Sequence, residues 1–334
     1  MQIHALAAGA KGAALTPFEY QAPELGPHDV LVKVHTCGIC HSDVHMIDDD
    51  WRVARYPLVP GHEVVGTVVR AGSALGDLVP DDRVGVGWQR SACLACRDCL
   101  SGNENLCERA RSLIGDGHGG FGDHVALDGR FAFKLPEPLA AESAGPLLCG
   151  GITVYSALKH AGMSSGQEIG VLGVGGLGHL GVQFAARLGN RVTAFTTSED
   201  KAREAGKLGA AEAVVTREGK APGKLARKLD LLLVTAPAAL DWNSWLELLA
   251  VDGTLAFVAA SAQAKIRIDL LMAKRRRVQG SLIGGRGEIA EMLDVAARYG
   301  VRPQVELFPL AEANAAIRKV RDNTVRHRAV LKVA

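Results

Sequence analysis

Apolar and polar positions along the 334 residues follow two different rhythms. In the first 150 or so residues the apolar runs are short and β-branched. Residues 30–34 read Val-Leu-Val-Lys-Val, 64–69 Val-Val-Gly-Thr-Val-Val and 82–86 Asp-Arg-Val-Gly-Val, with Pro17, Pro23, Gly26 and Pro27 breaking up the earliest stretch. Side chains of this shape suit a pleated, half-buried surface, and frequent turn residues keep the strands short, so the pattern predicts an antiparallel β domain. Further on, apolar runs alternate with Ala-rich stretches of helical character. Residues 169–172, 191–195, 213–215, 231–234 and 254–258 read as strands, and 179–188 and 201–208 as helices between them. Such alternation predicts right-handed βαβ units and a parallel sheet. A helix over 287–299 follows, and 328–333 reads as a strand returning to the first domain.

Length adds the same answer, since roughly 150 residues per domain makes two domains the expectation. A hydrophobic share of 48% against 22% charged is enough apolar material for sizeable cores without staples. Lys+Arg 38 against Asp+Glu 36 leaves +2, which argues against a nucleic-acid partner. The basic run Lys274-Arg275-Arg276-Arg277 is therefore expected to be a solvated helix end before a strand. No apolar run approaches the ~18 residues that span a bilayer. The first ten residues lack a basic start followed by a long apolar stretch, so no secretory signal is expected and the cytoplasm is the default compartment. Glycine is frequent, at 39 residues, in a chain that stays apolar, which points to tight turns or a phosphate-binding loop and not to disorder.

The seven cysteines are Cys37, Cys40, Cys93, Cys96, Cys99, Cys107 and Cys149, an odd count that does not suggest a disulfide framework. Four of them run Cys93-x2-Cys96-x2-Cys99-x7-Cys107. The x2 spacing lets thiolates converge across a tight turn, and four thiolates complete tetrahedral Zn²⁺, the closed, structural kind of site. An iron–sulfur cluster has superficially similar spacing, but the x7 gap and the lack of a Cys-Pro end weigh against it. A second set is dispersed: Cys40-His41-Ser42-Asp43-Val44-His45, then Gly61-His62-Glu63, then Cys149. Singly, such a Cys reads as a small buried hydrophobe and such a His as a satisfied structural residue. Together, two thiolates and an imidazole would leave zinc one open position, as catalytic sites do, although nothing local ties Cys149 to Cys40.

Gly173-x-Gly175-x-x-Gly178 lies between a predicted strand and a predicted helix, the context a dinucleotide-binding turn requires. Gly173 permits the turn, Gly175 lets backbone approach the pyrophosphate, and Gly178 lets helix pack on strand, with helix N–H groups facing the phosphates. NAD sites place an acid about 20 residues on, to bind the ribose hydroxyls. Here the second strand ends Phe195-Thr196-Thr197-Ser198-Glu199-Asp200-Lys201, with Thr196 at the acidic position. A hydroxyl can donate to a 2′-phosphate that a carboxylate would repel. Thr197 and Ser198 add donors and Lys201 adds charge, so NADP(H) is expected over NAD(H). Glu199 and Asp200 argue the other way unless they face solvent.

These stretches occur in a familiar order: Cys37-Gly38-Ile39-Cys40-His41-Ser42-Asp43, Pro60-Gly61-His62-Glu63, the four-cysteine lobe, Leu148-Cys149-Gly150-Gly151-Ile152-Thr153-Val154-Tyr155-Ser156 and Gly173 through His179. Gly280-Ser281-Leu282-Ile283-Gly284-Gly285 and Val325 to Leu331 extend the likeness to nearly the whole chain. The chain resembles the zinc-dependent medium-chain alcohol dehydrogenases, and within them the cinnamyl-alcohol-dehydrogenase branch with its bacterial broad-range aldehyde reductases. The resemblance implies an α/β architecture. A GroES-like, β-rich catalytic domain would span 1–147 and 286–334, and a Rossmann doubly wound cofactor domain 148–285, with the active site in the cleft between them. It implies two zinc ions per chain, one catalytic on Cys40, His62 and Cys149 and one structural on Cys93, Cys96, Cys99 and Cys107, with Cys37 a non-ligand.

In the same family pattern Glu63 neighbours the metal, Asp43 orients the ligand histidine, Ser42 contacts the substrate oxygen, and His45 is the outer base of a proton relay that runs through a ribose hydroxyl. Thr153 would lie beside the nicotinamide. Gly173, Gly175, Gly176, Leu177, Gly178, Thr196, Thr197, Ser198 and Lys201 would hold the cofactor, and Trp51 and Trp88 would line the pocket, with ordinary core packing the alternative for each Trp. The implied reaction is reversible hydride transfer between NADP(H) and a primary alcohol or aldehyde, aromatic or aliphatic. A homodimer is the family's usual state, with no nucleic-acid or membrane partner. The alternatives are an NAD-linked polyol or secondary-alcohol dehydrogenase of the same fold, and a non-catalytic zinc and dinucleotide binder. Thr196 argues against the first, and the joint presence of Ser42, His45 and three dispersed ligands against the second.

Overall fold

A computed structural model describes residues 1–216, 219–236, 240–259 and 263–333. The chain divides into two compact units, one comprising Met1–Cys149, Gly284–Arg298 and Arg302–Ala334, the other Gly150–Ile283 and Tyr299–Val301. Among the described residues no helix is long and apolar enough to cross a membrane.

The first unit is built on a mixed sheet in the order Val305–Pro309, Arg328–Lys332, Asp29–Ile39, Val64–Ala71, Arg83–Val86 and Ala132–Lys134, with His124–Asp128 also pairing to Asp29–Ile39. Its pairings are antiparallel, as the β-branched runs predict, except for one. Val305–Pro309 and Arg328–Lys332 run parallel, because the helix Ala313–Arg321 forms a crossover between them. That helix buries Ala313, Ala316, Ile317 and Val320, a spacing that puts all four on one face toward the core of Val30, Val32, Val34, Phe121 and Phe131. The register is what matters for function. Cys37 lies opposite both Val64 and Leu331, so Cys40 and the pair His62–Glu63 leave the sheet at the same end.

The second unit is a six-stranded, wholly parallel sheet in the order Glu212–Val215, Arg191–Thr196, Glu168–Leu172, Leu229–Val234, Leu249–Phe257 and Arg277–Gly280. The first strand in sequence, Glu168–Leu172, sits in the middle. Crossovers run first to one side and then to the other, which creates a topological switch point beside that strand, where doubly wound folds bind nucleotides.

The basic run differs from its expected character. Lys274 and Arg275 lie in the turn after the helix Ile268–Met272, but Arg276 is only 8% exposed. Its Nε and Nη2 donate to the carbonyl of Leu249 at 3.0 and 2.8 Å, and Nη1 donates to Leu270 at 3.4 Å. The carbonyl at the start of a strand whose register shifts needs a donor, and a guanidinium supplies it. Net charge carries no information about such a local demand. Arg276→Met should lower unfolding free energy by about 1–3 kcal/mol in a denaturant titration by leaving that carbonyl unpaired. The exposed neighbour Arg277→Met should stay within about 0.5 kcal/mol of the parent.

Candidate active site and cofactor turn

One carboxylate organises the dispersed constellation. The strand Asp29–Ile39 ends at Cys40, and the helix His41–Ile47 begins there. Asp43, with no exposed surface, accepts from the Cys40 N–H at 2.8 Å through Oδ2 and from the Gly61 N–H at 2.8 Å through Oδ1. The same Oδ1 lies 3.0 Å from Nδ1 of His62, also wholly buried, so Nδ1 donates there and Nε2 is left to act as ligand. Nε2 faces the Cys149 sulfur at 3.3 Å, and that sulfur stands 3.8 Å from the Cys40 sulfur. Ligand atoms of Cys40, His62, Glu63 and Cys149 all lie within 4.8 Å of one another.

Cys149 reaches this point through backbone packing that its own sequence does not announce. The turn Gly145–Leu148 precedes it. A Cβ at Gly145 would stand 2.4 Å from the Glu63 carbonyl, and one at Gly87 would stand 2.7 Å from the Leu148 carbonyl. Only glycine allows both approaches. Cys37 is buried outside the cluster, its thiol directed at the Gly38 carbonyl at 3.6 Å.

The electrostatics suit a metal. Burial opposes charge on His62, yet the Asp43 carboxylate and the Cys40 sulfur push the imidazole up to about 10. A hydrogen bond from the Cys149 thiol holds Cys40 well below its ordinary range against burial, so of the two sulfurs Cys40 carries the charge. Buried sulfur and imidazole donors with this much electrostatic coupling fit a zinc ion, which would displace the shared protons. Glu63 is held by an ion pair with Arg328, from the returning C-terminal strand, and its Oε2 has no hydrogen-bond partner among the described residues. A Cβ at Gly38 would overlap that oxygen at 2.0 Å, so the carboxylate occupies room that only glycine leaves.

An aromatic belt continues outward from the buried donors. Trp88 meets the His62 ring edge-on at 5.1 Å, Trp51 meets Trp88 edge-on at 6.0 Å, and the His45 ring lies tilted at 5.3 Å from Trp51. Trp51 is 45% exposed, so its side chain is not simply core. Ser42 Oγ lies 3.7 Å from the Cys40 sulfur, and His45 Nδ1 lies 2.7 Å from Asp50 Oδ2. Asp50 and Arg328 are partners that sequence reasoning missed. Spacing gave a faint signal for Asp50, five positions after His45, and none for Arg328.

The four-cysteine lobe also converges. Cys93 lies 3.5 Å from Cys107 and 3.8 Å from Cys99, and its sulfur accepts from the Cys96 N–H at 3.3 Å. All seven cysteines are free thiols, and the four sulfurs lie within 4.8 Å of one another. Backbone N–H groups of Ala95 and Cys96 draw the Cys93 thiol down to about 6, which favours the thiolate a metal requires. Glu104, 5% exposed, fastens the lobe by accepting from the Arg286 N–H at 3.0 Å.

In the second unit the glycine turn has the form its motif predicts. Gly173 adopts φ +94, and a Cβ at Gly178 would lie 1.8 Å from the Gly173 carbonyl. A Cβ at Gly175 would meet nothing within 4 Å, so that backbone is open to a pyrophosphate. Gly176 and Leu177 complete the turn before the helix Gly178–Arg187 and contact the start of the helix Gly150–His160, which carries the buried Thr153. Thr196 closes the second strand and is 4% exposed, Thr197 is exposed, and Ser198 caps the helix Glu199–Leu208 by accepting from the Lys201 N–H. Glu199 and Asp200 face solvent, and Asp200 pairs with Arg203, a base that sequence reasoning passed over. Among the described residues the position that closes the strand is therefore a threonine and not a carboxylate. Gly175→Ala should weaken NADPH binding at least tenfold in a fluorescence titration and leave the melting temperature unchanged. Gly178→Ala should lower both, because its Cβ strikes backbone.

The chain matches the model of the alcohol dehydrogenase GroES-like domain over residues 26–137 and that of zinc-binding dehydrogenases over 176–298. It is 40% identical to the aldehyde reductase AdhA of Synechocystis sp. over 98% of both chains. It is 37% identical to the NADP-dependent alcohol dehydrogenase C 1 of Mycolicibacterium smegmatis over 99% of this chain and 98% of that one. A solved cinnamyl alcohol dehydrogenase of Sorghum bicolor superposes with TM-score 0.93 at 34% identity, covering 99% of this chain and 98% of the other. With its GroES-like and Rossmann units and a donor set of this kind, the chain belongs to the zinc-dependent medium-chain alcohol dehydrogenases, in the cinnamyl-alcohol-dehydrogenase-like branch.

Proposed function

We propose that this protein is an NADPH-preferring aldehyde reductase that also runs in reverse as an alcohol dehydrogenase, acting on primary, aromatic or aliphatic, substrates. The observation that carries the reading is the Asp43-centred set of two sulfurs and one imidazole, with Ser42 beside the Cys40 sulfur and His45 on the aromatic belt that leads out from His62. Cys40, His62 and Cys149 would hold a zinc ion whose chemistry is Lewis-acid polarisation of a carbonyl, and the Gly173 turn would hold NADPH, the hydride source.

The chain's own residues do the rest. Asp43 fixes the His62 tautomer. Arg328 restrains the Glu63 carboxylate beside the donor set. Trp51 and Trp88 form an aromatic wall that takes the body of an aldehyde. Ser42 positions the substrate oxygen and relays a proton. His45, with Nδ1 occupied by Asp50, exchanges that proton with solvent at Nε2. Thr196, Thr197, Ser198 and Lys201 take the 2′-phosphate, consistent with the NADP named for the mycobacterial relative. Cys93, Cys96, Cys99 and Cys107 would saturate a second zinc and so stabilise the fold without taking part in the reaction.

Six cysteines committed to zinc and one buried thiol, Cys37, with no disulfide among them, suit the reducing cytoplasm. The edge strand Arg277–Gly280, which exposes Val278 and has exposed Leu282, Met272 and Ile268 close to it in sequence, supports pairing with a second copy in a homodimer.

Initial rates of NADPH oxidation with cinnamaldehyde, with equal NADH alongside, test the reading on zinc-replete protein. Fast loss of NADPH with little from NADH is expected. Faster loss of NADH would overturn the cofactor preference, and no loss with either across a panel of carbonyls would overturn the reductase assignment. In the same assay His45→Gln should cut kcat about 100-fold without abolishing it.

A further inference from the structure

Ile283 is the last residue before the chain passes from the second unit back into the first at Gly284. Its φ is 40, in the left-handed region that a β-branched side chain rarely adopts. A backbone of this kind persists only where its surroundings over-determine it, and such strain collects at functional segments.

Both sides of Ile283 are held. Upstream, the strand Arg277–Gly280 ends and the Ser281 N–H donates to the Phe257 carbonyl at 3.0 Å. Downstream, the four-cysteine lobe takes hold of the chain. Glu104 Oε2 accepts at 3.0 Å from the Arg286 N–H, a donor that the start of the helix Arg286–Tyr299 leaves without an intrahelical partner. A Cβ at Gly285 would stand 1.8 Å from the Gly102 carbonyl, so the two stretches are in close backbone contact. The Arg286 guanidinium donates through Nε to the Arg130 carbonyl at 2.7 Å and lies 5.5 Å from the centre of the Phe131 ring. Glu104 is buried and opens the turn Glu104–Leu106 that leads into Cys107, so the fold of the lobe sets its position. The strained residue also has a telling place in its sheet. It follows the carboxyl end of Arg277–Gly280, and the Gly173 turn and Thr196 stand at the carboxyl ends of their own parallel strands. Doubly wound sheets bind dinucleotides along that edge, one nucleotide to each half, and Arg277–Gly280 belongs to the half that does not carry Thr196.

We infer that Glu104 is a positioning residue for cofactor binding: by clamping Arg286 and Gly285 to the four-cysteine lobe, it keeps Ile283 in the strained form to which NADPH binds. The inference rests on the cofactor reading given above, and it gives the lobe a part in cofactor affinity as well as in stability. With the clamp loosened, Ile283 relaxes to an ordinary φ, and binding must first restore the strained form. Glycine at 283 has no such strain to release, so in its presence the clamp no longer matters for binding.

The test is a double-variant cycle on the zinc-replete full chain, read as the NADPH dissociation constant in a fluorescence titration, with the melting temperature alongside. Glu104→Met should weaken NADPH binding about tenfold. Glu104→Gln, whose amide oxygen still accepts from the Arg286 N–H, should weaken it less than about threefold. In an Ile283→Gly background the loss on Glu104→Met should shrink to less than about threefold, while the melting temperature falls as far as it does with isoleucine present. Any structural role would lower the melting temperature, so the difference in affinity between the two backgrounds decides. Gly285→Ala, whose Cβ pushes the same segment off the Gly102 carbonyl, gives a second cycle with the same expected outcome should Glu104→Met not fold. Equal losses of affinity in both backgrounds, or parental affinity in folded Glu104→Met, would overturn the inference. No NADPH binding by the parent would overturn the cofactor reading, and this inference with it.

Discussion

The Asp43 carboxylate is wholly buried and bonded to Cys40, Gly61 and His62 at once, and the rest of the site depends on it. A buried carboxylate is costly unless every lone pair is used. Here its bonds join the end of one strand, the loop entering another and the His62 imidazole. One group thus closes the gap between two stretches of chain, fixes which histidine nitrogen faces the sulfurs, and raises the basicity of that nitrogen. The sheet register that puts Cys37 opposite Val64 brings these segments together before any side chain is considered.

Glycines do comparable work where backbones must approach closely. Gly145 and Gly87 let the turn carrying Cys149 settle against Glu63 and Leu148, and Gly178 lets a helix pack onto the turn at Gly173. Both the donor set and the cofactor turn are therefore made of backbone proximity first and side-chain chemistry second.

Legibility in the sequence tracked locality. Five of the six parallel strands, the Gly173 turn and the four-cysteine lobe were readable because each is set by residues close in the chain, through periodicity, turn chemistry or ligand spacing. Cys149 was readable as a partner of Cys40 only through family resemblance, since the contacts that deliver it run through Glu63 and Leu148 carbonyls. Arg328 joins Glu63 across 265 positions, and no spacing rule reaches that far. Arg276 was misjudged because its neighbours in sequence are exposed while its own carbonyl partner, Leu249, lies 27 positions away. The strand Val305–Pro309, parallel to Arg328–Lys332, was not read at all, because Val-Glu-Leu-Phe-Pro holds a single β-branched residue and ends in proline.

The measurement that bears most directly on the account is the zinc affinity of Asp43→Asn, obtained by competition with a chromogenic chelator on the intact chain. An amide keeps the shape but loses the charge that orients and polarises His62. One of the two zinc ions should therefore bind about 10–100-fold more weakly while the other, on the cysteine lobe, is retained as in the parent. Two zinc ions held with parental affinity in Asp43→Asn would contradict the claim that this carboxylate organises the site.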